Sequence, residues 1–159
     1  MNSRLERLKK TIEKCEKVEE IFTRQGVSGE EIEISEDGKG TTVIAGFDGK
    51  RSDRFFFGWH LVSHGLENDY GKKPAYFEVE LFDGTQDNEC RISVFYFPTE
   101  NEWMVEGANG IGLDGPAIIR SLAADCRLSA GEKRQIGEDE AMKIIATLCA
   151  FFMSQPVTA

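Results

Sequence analysis

The stretch that decides the fold is RFFFGWHLVS, Arg54 to Ser63, together with YFEVELF, Tyr76 to Phe82, and CRISVFYF, Cys90 to Phe97. Each is rich in aromatic and β-branched residues. The second is closed by the turn residues Asp83-Gly84-Thr85 and the third by Pro98. These are strands. Side chains alternate across a strand, so Phe55, Phe57, Trp59 and Leu61 share one side while Phe56, Gly58, His60 and Val62 share the other. A sheet covered on one face alternates apolar with polar, and these strands do not. If Arg54, Glu78 and Arg91 mark the outer face, that face also carries Phe56, Phe82, Phe95 and Phe97, with His60 among them.

Monomers rarely leave apolar patches larger than about 300–600 Å² open. Two arrangements satisfy that limit. In one, helices cover both faces, the N-terminal helix on one side and the C-terminal helices on the other. In the other, the second face meets a partner, a second protomer or an apolar ligand.

Outward from these strands the pattern is a meander. Glu31-Ile32-Glu33-Ile34 alternates and predicts a first strand, with Glu36 to Gly40 as its turn. Thr41 to Phe47 is a second strand, and Asp48-Gly49-Lys50 reads as a hairpin turn. His64 to Pro74 is a polar loop, and Glu102 to Glu106 a short last strand. Before the meander, Leu5, Leu8, Ile12, Cys15, Val18 and Phe22 recur every three or four residues, predicting an amphipathic helix ended by Gly26. Glu19 breaks a strict heptad, which favours docking on the chain's own sheet over a coiled coil. After the meander, Asp114 and Pro116 predict a helix start, with the helix running to Leu128. Ser129 to Glu132 is a break. Glu138-Asp139-Glu140 opens a last helix whose apolar face is Ile144, Ile145, Leu148, Phe151 and Phe152. The expected fold is therefore α+β, a single domain over 1–159. An N-terminal helix (1–25) precedes an antiparallel sheet of five or six strands (30–107), and two C-terminal helices (114–154) pack on that sheet.

Composition bounds the function. The 159 residues are 40% hydrophobic and 30% charged, which supports a packed core rather than disorder. The formal net charge of −9 disfavours phosphate backbones and anionic membranes, so neither nucleic acid nor membrane is an expected partner. The first 24 residues carry a net of +2 and the remainder −11, so a mildly basic helix adjoins an acidic body. The opening MNSRLERLKK has no apolar signal core, and a cytoplasmic location is expected. The four cysteines, Cys15, Cys90, Cys126 and Cys149, form no CxxC pair and read as buried thiols.

No catalytic constellation emerges. His60 and His64, extended along a strand, stand about 13 Å apart, too far to share an ion. Gly110-Ile-Gly112-Leu-Asp-Gly115 matches G-x-G-x-x-G, but only helix, break and helix follow it, with no parallel strand for a dinucleotide-binding unit. The acidic runs lack calcium-loop spacing and read as hairpin tips. Trp59 and Trp103 read as packing residues, since base stacking needs a cationic groove. No cofactor and no metal is expected.

These observations point to a non-catalytic, acidic protein-binding module of the chaperone, adaptor or inhibitor (immunity-type) kind. Its partner-binding residues are Phe56, His60, Phe82, Phe95 and Phe97, and its partner a protein with a basic or neutral surface. Two alternatives stand beside it. One is a ligand-binding or enzymatic domain with its site between the sheet and the Gly107–Gly115 loop. The other is a structural homodimer subunit.

Overall fold

The computed structural model describes residues 3–26, 35–36, 41–51, 54–64, 75–84, 90–98, 100–108, 111–112 and 116–155. The chain runs α1 (Ser3–Arg24), β1 (Ser35–Glu36), β2 (Thr41–Arg51), β3 (Phe55–His64), β4 (Ala75–Asp83), β5 (Arg91–Phe97), β6 (Glu102–Gly107), α2 (Ala117–Asp125), β7 (Lys133–Ile136) and α3 (Glu138–Ser154). The strands form one antiparallel sheet in the order β1-β2-β3-β4-β5-β6-β7. The α+β arrangement expected from the sequence is the one observed, with the N-terminal helix and both C-terminal helices on the sheet.

All three helices lie on one face. Cys15, Val18 and Phe22 of α1 join Ile119 and Leu122 of α2 and Ile144, Ile145, Leu148 and Phe152 of α3 in one buried cluster. The sheet's contribution is Phe55, Phe57, Trp59, Phe77, Val79, Leu81, Ile92, Val94, Tyr96, Trp103 and Val105. Phe57 is gripped from both sides, edge-on by Phe22 at 5.2 Å and stacked by Phe152 at 5.3 Å between ring centroids. Phe151 meets Phe55 edge-on at 5.1 Å. Each such ring contributes about 1.5–3 kcal/mol on burial. The helices are also tied to each other. Lys14 and Lys17 of α1 both pair with Glu138 at the start of α3, and Gln25 Nε2 donates to the Ala146 carbonyl at 3.1 Å. The arrangement with helices on opposite faces is therefore not the one adopted.

Local rules account for most element ends. Gly26 closes α1 at φ 85°, a conformation open to glycine, and its N–H donates to the Thr23 carbonyl. Glu138, Asp139 and Glu140 occupy the first turn of α3, where the helix dipole favours acids. Pro116 is itself the N-cap of α2, and the helix stops at Asp125, three residues short of the expected end. Asp114 lies outside the described residues, as do Glu31 to Ile34.

Three strand expectations need correction. Asp48-Gly49-Lys50 is not a turn. β2 continues through it, pairing Asp48 with Gly58, Gly49 with Phe57 and Lys50 with Phe56. The long ladder along β3 outweighs the local turn preference of Asp-Gly. Ser35–Glu36, where a turn was expected to begin, pairs with Val43 and Thr42. Lys133–Ile136, expected to lie between the break and the last helix without structure of its own, is the edge strand β7. It is too short and too charged to show a strand period, and lysine or arginine on an edge blunts further pairing.

Both tryptophans are core residues, Trp59 at 6% and Trp103 at 3% exposure. All four cysteines are free and buried. Burial pushes the Cys126 thiol up to about 12 and the Cys149 thiol up to about 11, which leaves them unreactive.

Candidate functional site

No described helix covers the other face of the sheet, and its register can be read in rows. Phe56 of β3, Phe82 of β4 and Arg91 of β5 stand side by side. The next row is Gly58, Glu80, Ser93, Glu106 and Lys133. The third is His60, Glu78, Phe95, Met104 and Gln135. Of the five residues expected to bind a partner, Phe56 and Phe82 thus share the first row and His60 and Phe95 the third, with the row of Glu80 between them. Phe97 lies one step further along β5, opposite Glu102.

The aromatics divide into two groups. Phe56 and Phe82 are half-buried and stack nearly parallel, 4.9 Å apart. The Arg91 guanidinium lies over the Phe82 ring at 5.7 Å, a favourable cation–π placement. Phe95 and Phe97 stack on one another at 6.0 Å and are each only 1% exposed. They form the floor of this face rather than its accessible surface, and they stand apart from the helix-side core.

Between these pairs lies a cluster that the sequence did not single out. Glu78 and Glu80 are two residues apart on β4 and therefore project from the same face. The Glu80 carboxyl acts on that of Glu78. Glu106 reaches the cluster from β6, across the small Ser93, which is itself 3% exposed. Arg91 Nη1 stands 3.7 Å from Glu80 Oε2. Among the described residues, Glu106 Oε2 and Arg91 Nε are buried without a hydrogen-bond partner. Burial, then the charge of Glu80 and the hydrogen bond to it, push the Glu78 carboxyl up to about 8. Arg91 pulls it down and Glu106 adds to the rise. The signal in the sequence was the alternation Glu78-Val79-Glu80, which marks the outer face. The meeting with Glu106 and Arg91 depends on register.

The remaining expectations fall elsewhere. Arg54 does not mark the outer face. It sits at the end of the sheet, where its Nε donates to Oδ2 of the fully buried Asp83 at 2.9 Å. His60 is half-buried beside Glu78, while His64 ends β3 opposite Thr41, and its side chain lies outside the described residues. No group of three histidine, cysteine or acidic side chains among the described residues is arranged to hold a metal ion. In the Gly107–Gly115 segment, Ile111 is 3% exposed and would clash with any side chain at Gly107. Residues 109–110 and 113–115 lie outside the described residues, and with them most of the G-x-G-x-x-G match. The strand after α2 runs antiparallel to β6, which is not the parallel strand of a dinucleotide-binding unit. A shallow groove between α2 and α3 is lined by Ile118, Leu122, Asp125, Thr147 and Phe151. It brings together no cluster of charge. No described helix is long and apolar enough to cross a membrane. No protein-family model, curated protein or solved structure matches this chain.

Proposed function

We propose that this chain is a non-catalytic protein-binding module that holds a lysine- or arginine-bearing segment of a partner on the outer face of its sheet. Chaperones, adaptors and inhibitors all work in this way. The observation that carries the reading is the imbalance of charge on that face. Among the described residues, Glu78, Glu80 and Glu106 share that face with Arg91, 3.7 Å from Glu80, and with Lys133 beside Glu106, next to the stacked Phe56–Phe82 pair. Phe56 and Phe82 supply apolar anchor area, and the buried Phe95–Phe97 pair lies further along the same face. The carboxylates align a cationic side chain and disfavour acidic partners. The excess negative charge of the whole chain, −9, extends the same preference to long range.

The test compares two surface variants with the wild type. Phe82→Asp places a charge in the half-buried stack, and Ile118→Asp places one in the α2–α3 groove. The reading expects partner capture to fall at least about tenfold in Phe82→Asp and to persist in Ile118→Asp, with the circular dichroism of both unchanged. Capture that survives Phe82→Asp and is insensitive to salt contradicts it.

A further inference from the structure

A surface helix normally turns charged and polar residues to water, and in a chain that is 30% charged the rule has room to act. α1 follows it, exposing Glu13, Glu16, Lys17, Glu19, Glu20 and Arg24. α3 does not. After Lys143 its exposed and half-buried residues are Ala146, Thr147, Ala150, Phe151, Met153 and Ser154, and none is charged. Beside them, Ile118 of α2 is 39% exposed, the one exposed large hydrophobic among the described residues. The groove between the two helices has a volume of about 480 Å³, and Asp125, the last residue of α2, is the one charged residue lining it. Its other polar groups are turned back on α3. Thr147 Oγ1 donates to the Lys143 carbonyl at 2.8 Å, and Ser154 Oγ and Gln155 Nε2 donate to the Phe151 carbonyl at 2.7 and 3.0 Å. An occupant therefore meets apolar contact with few hydrogen bonds. A small-molecule site relies on a few aimed polar groups, and this groove has spent its own. Loss of charge beside aromatic and methionine side chains is the composition of the centre of a protein–protein contact, most strongly between identical chains.

Charge selects the occupant. A chain of net −9 repels a second copy of itself wherever two acidic surfaces meet. A basic partner is drawn to those same acidic surfaces and finds no handle on an uncharged one. The groove is thus the place where two copies can approach with least repulsion. A two-fold contact brings the same patch from each side, and this patch supplies both a projecting side chain, Ile118, and a groove to receive it. We propose that the chain forms a two-fold dimer through the α2–α3 groove, with Ile118 of each copy packing into the groove of the other. All three helices lie on one face of the sheet, so the dimer leaves the outer sheet faces of both copies open. What those faces bind has no bearing on the contact.

The experiment is sedimentation velocity of the full chain from about 1 to about 500 μM, at about 50 and about 500 mM salt. The mass should pass from that of one chain to that of two across the range. The dimer should tighten as salt rises, because salt screens the repulsion between two acidic bodies and takes nothing from an apolar contact. Ile118→Asp and Ala150→Glu, both at exposed sites, should each raise the dissociation constant at least about tenfold with unchanged circular dichroism, since the two-fold axis counts each change twice. Phe82→Asp on the outer face should leave it unchanged. A chain that stays monomeric at every concentration overturns the proposal, and so does a dimer that survives both groove variants. A dimer that dissociates as salt rises, or that is lost in Phe82→Asp instead, is made elsewhere and overturns it as well. If one groove variant does not fold, the other decides alone. No partner enters the measurement, so its failure and a failure of the binding reading are separate results.

Discussion

Replacing Glu78 by glutamine should change how stability depends on pH, and the sign follows from the geometry. In the folded chain the carboxyl holds its proton up to about 8, against 4.5 for an unperturbed glutamate. Between those values the native state binds a proton that the unfolded chain has released. The contribution is therefore fully present below the unfolded value and is lost as pH rises through the folded one. At 1.36 kcal/mol per pH unit the full interval gives a ceiling of about 4–5 kcal/mol. Glu78 is not sealed from solvent, and local relaxation admits water, so about 1–3 kcal/mol is the expected observable. Glutamine keeps the shape and can donate its amide to Glu80, but it cannot ionise. Urea denaturation at pH 5, 6, 7, 8 and 9 provides the assay, read as the difference between variant and wild type so that other titrating groups cancel. The wild type should lose about 1–3 kcal/mol more than Glu78→Gln between pH 5 and pH 8. Above pH 8 the variant should be the more stable of the two. Parallel curves, or a wild type that gains relative stability as pH rises, would refute the reasoning.

Phe95→Asp should unfold the chain, because it places a charge at a site 1% exposed at a cost of more than about 3 kcal/mol, whereas Phe82→Asp at a half-buried site should fold; thermal melts followed by circular dichroism distinguish the two. Gly107→Ala should cost about 1–3 kcal/mol, since its Cβ would lie 2.5 Å from Ile111 Cδ1 and 2.9 Å from Leu128 Cγ. Combining it with Ile111→Ala should cost less than the simple sum of the two losses, and strict additivity in denaturation would show that the clash is not the cause. Arg54→Met should cost about 2–4 kcal/mol by leaving the buried Asp83 without its guanidinium. Asp83→Asn in the same background should recover part of that loss, and no recovery would mean that the charge of Asp83 is compensated by other means.

The strands of the central meander were legible because Phe55 to His64, Ala75 to Asp83 and Arg91 to Phe97 combine β-forming residues with unmistakable stops. The helices α1 and α3 were legible from Cys15, Val18 and Phe22, and from Ile144, Ile145, Leu148 and Phe152, all of which are buried. What a period cannot show is which face a helix chooses. α1 and α3 share a face because they also bind one another, through Lys14 and Lys17 on Glu138, residues more than a hundred positions apart. The Asp48-Gly49 signal failed because a local turn preference competes with a ten-residue ladder, and the ladder is longer-ranged than any window that reads turns. β7 escaped because Lys133, Arg134 and Gln135 are residues that protect an edge rather than fill a core.

The candidate site was half legible. Aromatic residues on both sides of β3, β4 and β5 announced that the second face was unusual. They did not reveal that Phe95 and Phe97 are sealed while Phe56 and Phe82 are reachable, since that difference arises from neighbours distant in sequence. The carboxylate cluster needs three strands in register, β4, β5 and β6, with the small Ser93 standing between Glu80 and Glu106.

The measurement that bears most directly on the binding reading is native mass spectrometry of the chain recovered gently from its source cells, joined to hydrogen–deuterium exchange of the same complex. The account predicts a stoichiometric protein partner with a basic contact surface. It also predicts slowed exchange at Phe82, Arg91 and Met104 relative to the free chain, with α2 unchanged. A chain that emerges alone with a small-molecule adduct, or a partner whose protection falls on α2 and α3 while β4 to β6 exchange as before, would contradict it.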